Sequence, residues 1–195
     1  MKAATPPERL YLIRHGRPVA VWGGADLDPG LDAVGLAQAR SVADRLANLP
    51  LGERPSRVAS SPLRRCLETA RPLADALGVD VEIDPAVGEV PTPVALAPDA
   101  RPVWLREAMG GRWDQIVGDL DYEAWRRAVA AAVTSRPGTA VFSHFVAINA
   151  VVSVIAGDER VVGFRPDHAS ITTLAVGGDG PRILTLGPEA ATGVL

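Results

Sequence analysis

Short apolar runs alternate with longer stretches of helical periodicity along this chain, and that alternation restricts the fold more than any other feature. LYLI (10–13), SRVAS (56–60), VDVEID (79–84) and TAVFS (139–143) read as strands. Between them, Leu36, Ala39, Val42, Ala43, Leu46 and Leu49 form the apolar stripe of a helix over 32–48. Leu63, Cys66, Leu67, Ala70, Leu73 and Leu77 form a second stripe, which starts at Ser61 as N-cap with Pro62 as first helical residue. Pro72 falls inside it, so a kink or break is expected near Arg71. Asp121 caps a helix with the stripe Trp125, Ala128, Val129, Ala132, Val133, and 145–157 reads as a buried helix closed by Gly157. SITTLAV and RILTL flank GGDGP as a hairpin. The pattern predicts an α/β fold in one three-layer α/β/α domain, its sheet mainly parallel with an antiparallel edge.

Composition narrows the function. A formal charge of −3 and a pI near 5.6 argue against non-specific nucleic-acid binding. The single cysteine, Cys66, fits a reducing compartment. The first ten residues hold no apolar core of a signal peptide, and no apolar run is long enough to cross a membrane. The expected setting is cytoplasmic, with neither nucleic acid nor membrane as partner. The terminal hairpin offers an edge strand able to pair with a second copy as a homodimer.

LYLI stops at Arg14 and His15, and only three histidines occur in the chain. Sites in open α/β sheets form beyond the carboxyl ends of the strands. His15 follows one strand and His144 another, so parallel strands would bring both to one edge. A third strand leads into a helix whose first turns hold Arg64 and Arg65. Cations there oppose the helix macrodipole by about 0.3–1 kcal/mol each, unless an anion sits between them and the helix N–H groups. Two histidines and several arginines at one edge point to a pocket for a phosphoryl group. Periodicity leaves open which of Arg64 and Arg65 faces it.

Arg14-His15-Gly16 after a strand, SSPLRRCLETA (60–70), PAVGE (85–89) and SHFVAINAVV (143–152) together resemble the histidine phosphatase superfamily, which includes cofactor-dependent phosphoglycerate mutases. The resemblance implies a phosphoglycerate mutase-like fold and a set of roles. His15 would be the nucleophile, Arg14 and Arg65 would bind phosphate, and Glu89 would be the general acid. His144 would contact the phosphoryl oxygens. A neutral imidazole attacks phosphorus, and nearby arginine charge favours the neutral form. The covalent phosphohistidine splits one hard step into two, and an alkoxide leaving group needs a proton. Neither metal nor cofactor is required. Asp26, Asp28 and Asp32 read as turn chemistry around Pro29 and Gly30.

The departures from mutases fall on substrate-contacting segments. Arg-His-Gly continues as Arg17-Pro18-Val19-Ala20-Val21-Trp22, and Glu89 is followed by VPTPVALAP. Arg17 and Trp22 are candidates for substrate contact. His168 stands where relatives often carry Asn and is a candidate for the pocket border. Residues 90–119, rich in Pro and Gly, are expected to form a substrate cap. Trp104, Trp113 and Trp125 are expected to fill a secondary core, and Asn149 to be a hydrogen-bonded buried amide. The leading expectation is a phosphomonoester hydrolase for a small phosphorylated substrate, with VPTPVALAP hinting at a less charged alcohol moiety. A mutase and a non-catalytic phospho-ligand binding protein are the alternatives.

Overall fold

The computed structural model describes residues 8–19, 26 and 28–191. The central strand is β1 (Glu8–Arg14), in which side chains alternate between two apolar layers. Leu10 and Leu12 enter one core, whereas Tyr11 and Ile13 enter the other. β1 pairs in parallel with β4 (Thr139–Ser143), which alternates in the same way. Beyond β4 lie β2 (Arg57–Ser60) and then β3 (Val81–Ile83), both parallel. On the other flank, β5 (Ile171–Val176) and β6 (Arg182–Thr185) run antiparallel. The six-stranded order is β3-β2-β4-β1-β5-β6, a mainly parallel sheet with an antiparallel edge.

Helices α1 (Ala33–Ala47) and α2 (Arg64–Leu77) cover one face. α4 (Tyr122–Thr134) and α5 (Phe145–Ala156) cover the other. The carboxylates of Asp32 and Asp121 cap α1 and α4, accepting from the N–H groups of Gly35 and Ala124. α5 is apolar on nearly every side and lies buried through Ser153, ending at Gly157 in the left-handed conformation.

Four expectations need correction. α2 starts at Arg64, with Leu63 as N-cap, and the Ser61 hydroxyl contacts the His144 ring and the Leu63 N–H, outside the helix. Asp28 instead accepts from the Arg64 N–H at 2.8 Å and supplies the anion at this helix end. α2 also runs unbroken through Pro72. The residues buried on both sides of the proline, Thr69, Ala70, Leu73 and Ala74, hold the helix against the sheet despite the missing N–H. On α1 the buried stripe begins at Gly35, and Leu36 is 41% exposed. The inner face of α4 is turned so that Arg126 is buried and Ala128 is exposed. Arg126 stacks over Trp113 with its guanidinium carbon 5.8 Å from the ring centroid, and donates to Ser153 Oγ and the Asp158 carbonyl.

Residues 90–119 contain helix α3 (Arg101–Gly110) and short 3₁₀ turns at Pro98–Ala100 and Trp113–Gln115. Trp113 packs on Trp125 and Trp104 on Tyr122, with ring centroids 5.9 and 5.8 Å apart. These tryptophans fill core. Asn149 is buried, its Oδ1 accepting from the Gly163 and Phe164 N–H groups and its Nδ2 donating to the Phe145 carbonyl. Among the described residues no helix is long and apolar enough to cross a membrane.

α1 packs on the turn after β1 with almost no clearance. A Cβ at Gly35 would lie 2.1 Å from the Arg17 carbonyl oxygen, and one at Gly16 would lie 2.7 Å from that of Gly35. Gly35→Ala is therefore expected to destabilise the protein by about 1–3 kcal/mol, although alanine is the better helix former. Urea denaturation checks the sign.

Candidate active site

The register of the central strands places Arg14 opposite Ser143, and the His15 N–H donates to the Ser143 carbonyl at 3.0 Å. His15 and His144 thus leave adjacent strand ends side by side, with ring centroids 5.3 Å apart. β2 ends next to β4, and α2 brings Arg65 to the same edge. The Thr69 hydroxyl accepts from the Gly16 N–H and donates to the Arg65 carbonyl, joining α2 to the Arg-His-Gly turn. On the far side of β4, Ser143 Oγ donates to the Val87 carbonyl at 2.7 Å, fixing the segment that carries Glu89.

These residues surround a cavity of about 840 Å³. Arg14, His15, Arg65, Glu89 and His168 line it, together with Arg17. His144 is fully buried, and the cavity wall beside it is formed by Arg65 and Ser61. Trp22 lies outside the described residues. Arg65 is buried whereas Arg64 is exposed and paired with Glu68, which separates the two arginines that periodicity could not. Arg101 and Arg106 of α3 also reach the cavity, as do Leu105 and Met109. Sequence reasoning singled out none of these four. It also passed over Ser61, Thr69 and Asp28 as supports, although SSPLRRCLETA contains the first two.

Tautomers follow from the partners. A carbonyl can only accept, so the His15 contact to the Gly16 oxygen at 2.8 Å places the ring proton on Nδ1. The lone pair then belongs to Nε2. An arginine can only donate, so His144 Nδ1 accepts from Arg65 Nη2 at 3.2 Å. Its Nε2–H donates to Ser61 Oγ at 2.8 Å. In this geometry His144 reaches the cavity through Arg65.

The electrostatics keep the imidazoles neutral. Burial, and then the charges of neighbouring groups including Arg14 and Arg65, hold the pKa values of His15 and His144 well below the ordinary histidine value. Burial lowers His168 to about 4, with Arg14 adding to the effect. Glu89 moves the other way. Burial raises its pKa, opposed by the Val90 N–H that donates to its carboxylate and by Arg65 and Arg14. Arg14 is lowered to about 10 by burial and so stays charged near neutrality. Its guanidinium lies over the Phe145 ring, Nη1 donates to the Pro166 carbonyl, and Nε is buried without a partner among the described residues. The set comprises an imidazole nitrogen with a free lone pair, two buried guanidinium groups, and a carboxyl whose pKa burial raises. Asp28 N–H donates to the Asp26 carboxylate, the turn chemistry expected there. Among the described residues no group of three or more His, Cys, Asp and Glu side chains is arranged to hold a metal ion.

Known proteins resemble this chain in sequence and in fold. The model of the histidine phosphatase superfamily (branch 1) matches residues 10–95. A 2,3-bisphosphoglycerate-dependent phosphoglycerate mutase of Thermoplasma acidophilum is 30% identical over 191 residues, covering 93% of this chain and 92% of its own. The chain belongs to the histidine phosphatase superfamily. Among solved structures, a mycobacterial glucosyl-3-phosphoglycerate phosphatase has the same fold, with a TM-score of 0.68 at 21% identity over 94% of this chain and all of the other. Phosphoserine phosphatase from Entamoeba histolytica, solved with 3-phosphoglyceric acid, gives 0.70 at 20% identity over 96% and 99%.

The depressed histidines fix the sign of a pH effect. Between the ordinary histidine value of 6.5 and the lower folded values, the unfolded chain binds more protons, so stability falls as pH falls through that window. Glu89 acts in the opposite sense above its ordinary value of 4.5, because its folded form holds the proton longer. Three histidines against one carboxyl make the net effect a loss on acidification. The urea midpoint is expected to drop between pH 7 and pH 5, and less steeply in His168→Asn.

Proposed function

We propose that this protein is a phosphomonoester hydrolase that works through a phosphohistidine on His15. The observation that carries the reading is the Nδ1 hydrogen bond to Gly16, which leaves Nε2 unprotonated at a cavity lined by Arg14, Arg65 and Glu89. Nε2 attacks phosphorus as Arg14 and Arg65 take the charge on the oxygens. Protonated Glu89 gives its proton to the departing alkoxide and becomes a carboxylate. Water enters in place of the alcohol, loses a proton to Glu89 and breaks the phosphorus–nitrogen bond, releasing phosphate. His144 is a positioning residue for Arg65, Arg17 and His168 belong to the substrate side, and Trp22 stands as a sequence candidate for substrate contact.

Residues 90–119 act as the substrate cap, since Val90, Pro91, Leu105 and Met109 give the leaving-group side of the cavity an apolar wall. That wall, which Arg101 and Arg106 of α3 also reach, suits the alcohol part of a small phosphorylated metabolite. The phosphatases that share the fold are named for two phosphorylated metabolites, glucosyl-3-phosphoglycerate and phosphoserine. The 30% identity to a mutase favours one second reading, return of the phosphoryl group to a substrate hydroxyl.

Purified protein is expected to release inorganic phosphate from p-nitrophenyl phosphate without an added bisphosphorylated primer. Glu89→Gln should lower kcat by about 10²–10⁴-fold for alkyl phosphates, and less for p-nitrophenyl phosphate, whose leaving group hardly needs a proton. His15→Ala should abolish turnover. Isomerisation of phosphoglycerate without phosphate release would establish the mutase instead. Phosphate binding without either reaction would sink the enzyme reading.

A further inference from the structure

All three histidines of the chain meet at this site, and the mechanism above gives one of them, His168, no part in handling the phosphoryl group. The His168 ring centroid is 5.7 Å from that of His15, on the cavity wall, with the side chain 10% exposed. The other neighbour of His15, His144, has both ring nitrogens engaged by Arg65 and Ser61. The ring of His168 has no hydrogen-bond partner among the described residues. The nearest carboxylate, on Asp167, lies 4.0 Å from Nδ1, too far for one.

The turn that presents His168 is held in an unfavourable shape. Ala169 has φ +56°, the one non-glycine residue with positive φ among those described. Its N–H lies 3.1 Å from the Arg14 carbonyl and 3.2 Å from the His15 carbonyl. Arg14 binds the same turn twice more, through Nη1 to the Pro166 carbonyl and through its own N–H to the Ser170 carbonyl. The peptides that carry the nucleophile thus clamp both sides of His168. Backbone strain of this kind persists where surrounding contacts over-determine it, characteristically at ligand sites.

We propose that His168 donates a ring N–H hydrogen bond to the phosphoryl group while that group is carried on His15. The proposal rests on the phosphatase reading and adds a phosphoryl-binding residue to it. Arg14 and Arg65 already bring two positive charges to a group carrying about two negative ones. The groups that face His168 are Arg14, Arg17, Asp167 and Asp32, and burial keeps the imidazole neutral through the physiological range. A neutral donor supplies direction to the oxygens without a third positive charge.

The test compares His168→Phe, which keeps an aromatic ring and removes the donor, with His168→Asn, which keeps an N–H. Each is assayed on p-nitrophenyl phosphate, with its melting temperature measured alongside. His168→Phe is expected to lose about 10²-fold in kcat, and His168→Asn to stay within about 10-fold of the parent. Parental kcat in His168→Phe overturns the proposal. If either variant fails to fold, the parent decides. Nitrogen-15 spectra of histidine-labelled protein are recorded during titration with inorganic phosphate and with orthovanadate. A shifted His168 N–H supports the hydrogen bond. A His15 signal that moves while His168 does not overturns it and leaves the phosphatase standing. Silence from every histidine, with no turnover, removes the phosphatase reading and this proposal with it.

Discussion

The parallel pairing of β1 with β4 is the contact on which the site depends. Its register sets Arg14 against Ser143, so the chain leaves two adjacent strands with a histidine at each exit. β2 on the far side of β4 sends α2 and Arg65 to that edge. β5 runs antiparallel to β1, pairing Ile171 with Ile13, and therefore begins where the parallel strands end. The residues just before β5 arrive at the same place, which is why His168 shares a pocket with residues more than 150 positions earlier. A slip of one residue between β1 and β4 would turn the alternating core residues to the wrong faces as well, so the packing of the core protects the geometry of the site.

The charges are arranged with similar economy. Of the arginines that line the cavity, Arg14 and Arg65 lie beside the imidazoles, and Asp28 stands 3.9 Å from Arg65 at the start of α2. Neighbouring imidazoles contribute directional nitrogen atoms and no further charge. Arginine beside histidine would be repulsive if both were protonated, and burial removes that conflict by keeping histidine neutral. The same burial moves Glu89 the other way, toward its protonated form.

Much of this was legible in the residues, for identifiable reasons. TAVFS is β4 residue for residue, since a run buried on both faces has no polar interruption. Asp121 capped its helix as expected because the cap bond is local. What escaped depends on tertiary context. Pro72 leaves α2 intact because buried neighbours outweigh one lost hydrogen bond. Arg126 lies inward because Trp113, Ser153 and Asp158, far apart in sequence, create a place for it. Within the site, His15, Arg14, Arg65, Glu89 and His168 could be picked out and the structure brings them to one cavity. The burial of His144 could not, because Ser61 and Arg65 cover it only once β2 and β4 are paired. Arg101 and Arg106 stayed hidden because α3 carries no clear apolar period.

The α3 wall of the cavity and the histidine pair come from different parts of the chain. His15 and His144 follow strand ends locked into the sheet and Arg65 lies in the first turn of α2, whereas Arg101, Leu105, Arg106 and Met109 ride on α3, outside the sheet. Replacements along α3 therefore reshape the cavity wall while leaving strand register untouched. Selectivity in such a scaffold can drift during evolution, or be redesigned at the bench, as a property separate from reactivity.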